Sequence, residues 1–299
     1  MVVNGNVDGF EIRDNTVRDC DNIGIDCIGF EKVSPNAATD QARNGIVAGN
    51  QVYNIATKNN PAYDSESSAG GIYVDGGDSI VIERNHVHHC DFGIEVASEH
   101  KGKITRQITV RNNLLRENLQ AGLIMGGYNR KTTGAAEDCI ITNNTFYNND
   151  TVTSGDEWGQ IYLQFRVSRC TFANNILYHD ISKGKQFNVF IVHWNTTGSQ
   201  NSFDHNQFYG PATPVWILKN KWKEGWPEYL ADSVSGTNEQ FGDPLLTGVS
   251  GGNWMPAVKS PVVDSGSNAV ISTNEIDFDG QPRIRNRIVD RGAAEYFGP

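Results

Sequence analysis

The chain has no apolar run of 18 residues, so its sequence offers no helix able to cross a membrane. It also lacks a long stretch with a 3.6-residue hydrophobic period, which removes amphipathic helices as its main building block. Basic residues are outnumbered, 25 against 35 acidic, leaving a net charge of −10. Nucleic acid and anionic membrane are therefore poor partners, and a polyuronate is disfavoured unless a cation mediates. Cysteine is sparse and odd in number, five in all, with no CxxC pair. Cys20 and Cys90 occupy equivalent positions with a whole coil between them, and Cys27, Cys139 and Cys170 lie in strand-like contexts. They read as small core residues, not as a disulfide framework or a zinc site. The first ten residues, MVVNGNVDGF, have neither a charged start nor an apolar stretch. The expectation is that N-terminal coils or a leader precede this segment.

What is present is a repeat. Asn15, Asn50, Asn85, Asn113, Asn144, Asn175 and Asn206 each have an apolar residue three positions before and another two positions after. The steps between them are 35, 35, 28, 31, 31 and 31 residues, a solenoid period. Around each asparagine the pattern alternates, as in ITVRNNLL (108–115) and CIITNNTF (139–146), which is strand patterning. Asparagine is poor inside strands but tolerates left-handed turns, so one per coil predicts a bend between two short strands. Stacked in such a bend, the amides would hydrogen-bond from coil to coil.

A further strand follows each asparagine, often opened by glycine: residues 24–30, 71–77, 93–99, 122–128, 160–166, within 189–195, and 214–220. Three strands per coil resembles the right-handed parallel β-helix of pectate-lyase-like proteins. The predicted class is all-β, with a β-helix over 1–222 and a C-terminal capping region over 223–299. Insertions are expected at 31–43, 56–70, 98–106, 128–137, 148–158 and near 180–187, gathered on one face. KEGWPEYLADS reads as a short helix. The stretches FGDPLL, SPVVDSGSN and DFDGQPRIRNRIVDRG resemble the ending of secreted bacterial β-helix proteins, implying a secreted or periplasmic location. Asp277 and Asp279 read as turn residues, with calcium the one ion left open.

Aligning the third strands on their glycines turns Ile72, Val74, Ile94, Val96, Leu123 and Met125 inward. Tyr73, Asp75, Glu95 and Ala97 then point outward. Asp75 and Glu95 fall on adjacent coils, offset by two residues, with Cα atoms roughly 8 Å apart. Their carboxylates can approach to roughly 5–6 Å, near the spacing of retaining glycosidases. Carboxylates that close titrate apart, one ionised and one protonated, as a nucleophile and a general acid require.

The segments GIYVD (71–75) and IEVASEH (94–100) resemble the catalytic region of β-helical β-xylosidases of glycoside hydrolase family 120. That resemblance covers about 30 residues, with a two-residue insertion before His100. It implies Asp75 as nucleophile and Glu95 as acid/base. Asp26, Tyr73, Glu99, His100, Tyr162, Gln164 and Trp194 are candidate substrate-binding residues around them. The histidines of NHVHHC (85–90) invite a metal reading, but a bend is expected to splay them, and no metal ligand is assigned.

The leading expectation is a retaining glycoside hydrolase acting on a neutral plant polysaccharide or oligosaccharide, xylose-based as the resemblance implies, with no cofactor. A second reading is a calcium-assisted polysaccharide lyase recruiting Glu95, Glu99 and Lys101 or Lys103, although Met125 and Gly126 follow where some β-helical lyases carry arginine. A third is a non-catalytic carbohydrate-binding solenoid or inactive fragment. The expected partner is a carbohydrate, and the chain is expected to be a monomer or an edge-to-edge homodimer.

Overall fold

Short alternating segments separated by residues that accept left-handed backbone can pair only with their equivalents in the next coil. The computed structural model describes residues 1–152, 157–180, 186–194, 198–232, 234–249 and 252–298. Among these, three long sheets run the length of a β-solenoid. The first sheet contains Val2–Asn4, Ile25–Ile28, Gly70–Asp75, Phe92–Ala97, Leu123–Met125, Ile161–Leu163, Phe187–His193 and Thr213–Leu218, all parallel, then antiparallel Lys221–Glu224. The second holds the strands before the frame asparagines, Glu11–Arg13 to Ser202–Asp204. The third holds the strands after them, Thr16–Cys20 to Gln240–Phe241. The core is the inward row of each sheet; Val47, Val52, Ile72, Val87, Ile94, Val110, Leu115 and Leu123 are all fully buried.

The asparagine ladder forms as expected. Nδ2 of Asn15, Asn50, Asn85, Asn113, Asn144 and Asn175 donates to Oδ1 of the next in turn, at 2.9–3.0 Å. Each Oδ1 from Asn50 onward also accepts the backbone N–H of the asparagine before it. The left-handed residue at the bend is not the ladder asparagine but its predecessor: Asp14, Gly49, Arg84, Asn112, Asn143, Asn174 and His205, with φ between 52 and 67°. Glu239 ends the ladder, accepting both donors of Asn206 at 2.9 and 3.0 Å. Burial pushes its carboxyl up to about 8, despite those donors. A second ladder runs Asn118 to Asn149 to Gln160, at 2.8 and 2.7 Å.

The region read as one cap, 223–299, divides in two. The predicted helix forms at Trp226–Leu230 and closes the last coil with rings: Tyr229 stacks on Trp216 at 4.5 Å, and Phe208 and Trp226 lie against both. The later segment instead runs back along the bend line between the second and third sheets. Gly292 N–H donates to Asn174 O (2.7 Å), and Asn112 Nδ2 donates to Ile276 O (3.0 Å). Arg111 pairs with Glu275 at 2.8 Å. Asp277 does serve a turn: its oxygens accept from Gln281 N–H (2.7 Å) and Glu295 N–H (2.9 Å). All five cysteines are free thiols, with Cys20 alone exposed.

Candidate functional site

The first sheet carries the candidate site because its outer face receives most of the inserted loops. Registration puts Asp26, Tyr73, Glu95, Ile124 and Tyr162 in one column and Asp75 beside Ala97. Asp75 and Glu95 thus occupy neighbouring strands with the two-residue offset read from the sequence. An outward column on a bare solenoid would be solvated. Here Tyr73 and Asp75 are only 5% and 4% exposed, because inserted loops fold over them.

Those loops wall a groove of about 600 Å³. Tyr73, Glu95 and Gln164 line it from the first sheet. The insertions at 56–70, 98–106, 128–137 and 148–158 contribute Tyr63 and Ser67, Glu99, Tyr128, and Trp158. The Trp158 ring lies 4.8 Å from Tyr162 and 6.0 Å from Phe92. Among the described lining residues there is no lysine or arginine.

Burial dominates the electrostatics. Glu95 is held protonated well above the usual carboxyl range by desolvation, reinforced by the charges of Glu99, Asp75 and Asp26. Asp26 is pushed up to about 7 by burial and by Asp75 and Glu99. Asp75 also rises to about 7 through burial, opposed by the Glu99 N–H, which donates to its Oδ1 at 2.8 Å, and by nearby His100. The face therefore holds two carboxyls on neighbouring strands whose pKa values are raised, Glu95 well above the usual range and Asp75 to about 7.

The remaining predicted residues fall into two groups. Glu99 is exposed, lines the groove and accepts from Tyr73 OH at 3.4 Å. Gln164 lines it as well. Asp26 and Asp75 lie beside the groove and do not line it. His100 turns to Glu31, Nε2 to Oε1 at 3.0 Å. Tyr162 is buried beneath Trp158, and Trp194, 48% exposed, stands outside the lining, with its N–H on Leu163 O. Lys103 lies over the Phe30 ring at 4.5 Å. Trp158, Tyr63, Tyr128 and Glu31 were not singled out from sequence; their only signal was membership of the insertions. The strand within 189–195 is Phe187–His193, while Asn195 and most of the insertion near 180–187 lie outside the described residues.

The histidines of NHVHHC are not splayed, contrary to expectation. His86 and His88 rings lie 4.6 Å apart, and His88 Nδ1 is 2.8 Å from His89 Nδ1. Burial and the Arg116 guanidinium lower His86 to about 3 and His88 to about 4. Arg116 Nε donates to His86 Nε2 at 2.8 Å, so this ring nitrogen accepts a proton-bearing group in place of a cation.

Comparison with known proteins supports the architecture. The family model described as right-handed β-helix region matches residues 2–133. The uncharacterized protein YwoF of Bacillus subtilis (strain 168) is 38% identical over 248 residues, 82% of this chain. That alignment is 51% of YwoF, so the chain spans about half the length of this curated relative. The crystal structure of pectate lyase Pel9A superposes with a TM-score of 0.51 at 12% identity, over 95% of this chain and 65% of that one, a likeness of fold alone. The fold is a right-handed parallel β-helix, an architecture shared by pectate lyases and glycoside hydrolases.

Proposed function

We propose that the protein is a retaining glycoside hydrolase acting on a neutral oligosaccharide. The observation that carries the reading is Glu95: a carboxyl in a groove walled by tyrosine and tryptophan rings, its pKa raised by burial, with a second carboxyl on the adjacent coil. Aromatic faces suit pyranose rings, and a groove without a described lining cation suits sugars that carry no carboxylate. Glu95 protonates the leaving oxygen. Asp75, whose charged form is favoured by the Glu99 N–H and His100, attacks the anomeric carbon. Water, activated by the Glu95 carboxylate, then releases the sugar with its configuration retained.

One observation favours a variant of this reading. Glu99 lines the groove directly whereas Asp75 does not, which makes Glu99 the alternative second carboxylate. The lyase reading finds less support, since Lys103 is committed to the Phe30 ring and no described lysine or arginine lines the groove.

The test is a panel of neutral aryl glycosides, including xylosides, followed by proton NMR of the first-formed anomer. Release with retained configuration supports the proposal. Inverted product, or an ultraviolet-absorbing unsaturated product from polygalacturonate with no glycoside hydrolysed, overturns it.

A further inference from the structure

We infer that Glu31, Asp75 and His100 form a binding site for a first-row divalent transition-metal ion. These residues come from three successive coils: Asp75 ends the strand Gly70–Asp75, while Glu31 and His100 stand in the loops leaving the strands on either side of it. One carboxylate oxygen of Glu31, one of Asp75 and a ring nitrogen of His100 all lie within 4.8 Å of one another. The closest pair, Glu31 Oε1 and His100 Nε2, is 3.0 Å apart. Ligands bonded to one ion at about 2.0–2.2 Å sit roughly 3.0–3.5 Å from each other, so small side-chain movements close the set.

A second observation concerns the strand next to Asp75. Asp26 is 8% exposed, and its buried Oδ1 has no hydrogen-bond partner. It stands on the strand next to Asp75, and Asp75 and Glu31 both act on its charge. A buried carboxylate oxygen without a donor is costly, and a cation bound at the adjacent Asp75 would offset its charge. Asp75 is already oriented for the task, since its Oδ1 is fixed by the Glu99 N–H.

The donor set selects the class of ion. One imidazole with carboxylates favours manganese, cobalt, nickel or zinc over calcium and magnesium, which prefer oxygen alone. Binding itself does not depend on the hydrolytic reading; where that reading holds, the ion competes with the sugar for Asp75 and inhibits hydrolysis.

The experiment is calorimetric titration of nickel chloride into the full chain at neutral pH, in a Cys20→Ser background that removes the exposed thiol. The expected result is one ion per chain, with affinity reduced tenfold or more in both Glu31→Gln and His100→Gln, and calcium at least tenfold weaker than nickel. Circular dichroism of the two variants reports that the fold is intact. Absence of a one-to-one site, or equal affinity in the folded Glu31→Gln and His100→Gln variants, overturns the assignment. No sugar is present in the titration, so failure to hydrolyse glycosides leaves this result standing on its own.

Discussion

Glu95 lies beside Tyr73 on the neighbouring strand, and Asp75 lies beside Ala97, so the two carboxyls share a face without facing each other. Directly opposed like charges on adjacent strands destabilise a sheet; the offset separates them while keeping each within the other's field. Loops then bury Asp75 and half-bury Glu95, and desolvation moves both titrations upward. The chemistry proposed here follows from that combination of offset and cover.

Replacing Asp75 with asparagine tests the nucleophile. An asparagine Oδ1 still accepts the Glu99 N–H, so circular dichroism and melting at acid pH should be unchanged. Hydrolysis of an aryl glycoside should fall by roughly 10³-fold or more, as removal of a member of a catalytic group does. Glu99→Gln should cost much less. The reverse pattern would transfer the second role to Glu99.

The pH profile should carry both carboxyls. As the pH rises through about 7, Asp75 ionises and kcat/KM should climb. Where Glu95 loses its proton the rate should fall, and burial moves that limb towards alkaline pH. Glu95→Gln should abolish the alkaline fall and should hurt substrates with poor leaving groups far more than a dinitrophenyl glycoside. A wild-type profile with no alkaline fall would count against Glu95 as the acid.

Asp26 should make the fold less stable in base. Its carboxyl ionises near 3.8 when unfolded and near 7 when folded, so the folded chain binds the extra proton between those values. Its stabilising contribution is therefore full below about pH 4 and is lost as the pH rises through about 7. Asp26→Asn should melt several degrees above the wild type at pH 8, at roughly 2–4 °C per kcal/mol, with the gap closing towards pH 4. A gap independent of pH, measured by thermal unfolding across that range, would remove Asp26 from the account.

The ladder predicts a positional contrast. Asn113→Ala leaves the backbone N–H of Asn85 without its acceptor, at about 1–3 kcal/mol, and takes one of the two acceptors of its Nδ2, which keeps Val47 O. Asn15 is half-buried at the first rung and accepts from no earlier asparagine. Asn15→Ala should lower the melting temperature much less than Asn113→Ala, and equal losses would argue against coil-to-coil coupling through the amides.

The sequence by itself determined the coils, the inward rows and the column of Asp26, Tyr73 and Glu95. It could do so because strand alternation has a period of two and each coil repeats the frame, so register is written locally. The neighbour relation between Asp75 and Glu95 follows from that ruler alone. Tertiary structure alone decided that this outward face is buried, that Trp158 covers Tyr162, that Glu31 meets His100, and that the segment after 262 returns along the bends to Asn174 and Asn112. Only it gathered the rings of His86, His88 and His89 beside Arg116. Those contacts join loops and termini that share no period, so their partners are chosen by burial and hydrogen bonding across the folded chain, and no spacing in the sequence encodes them.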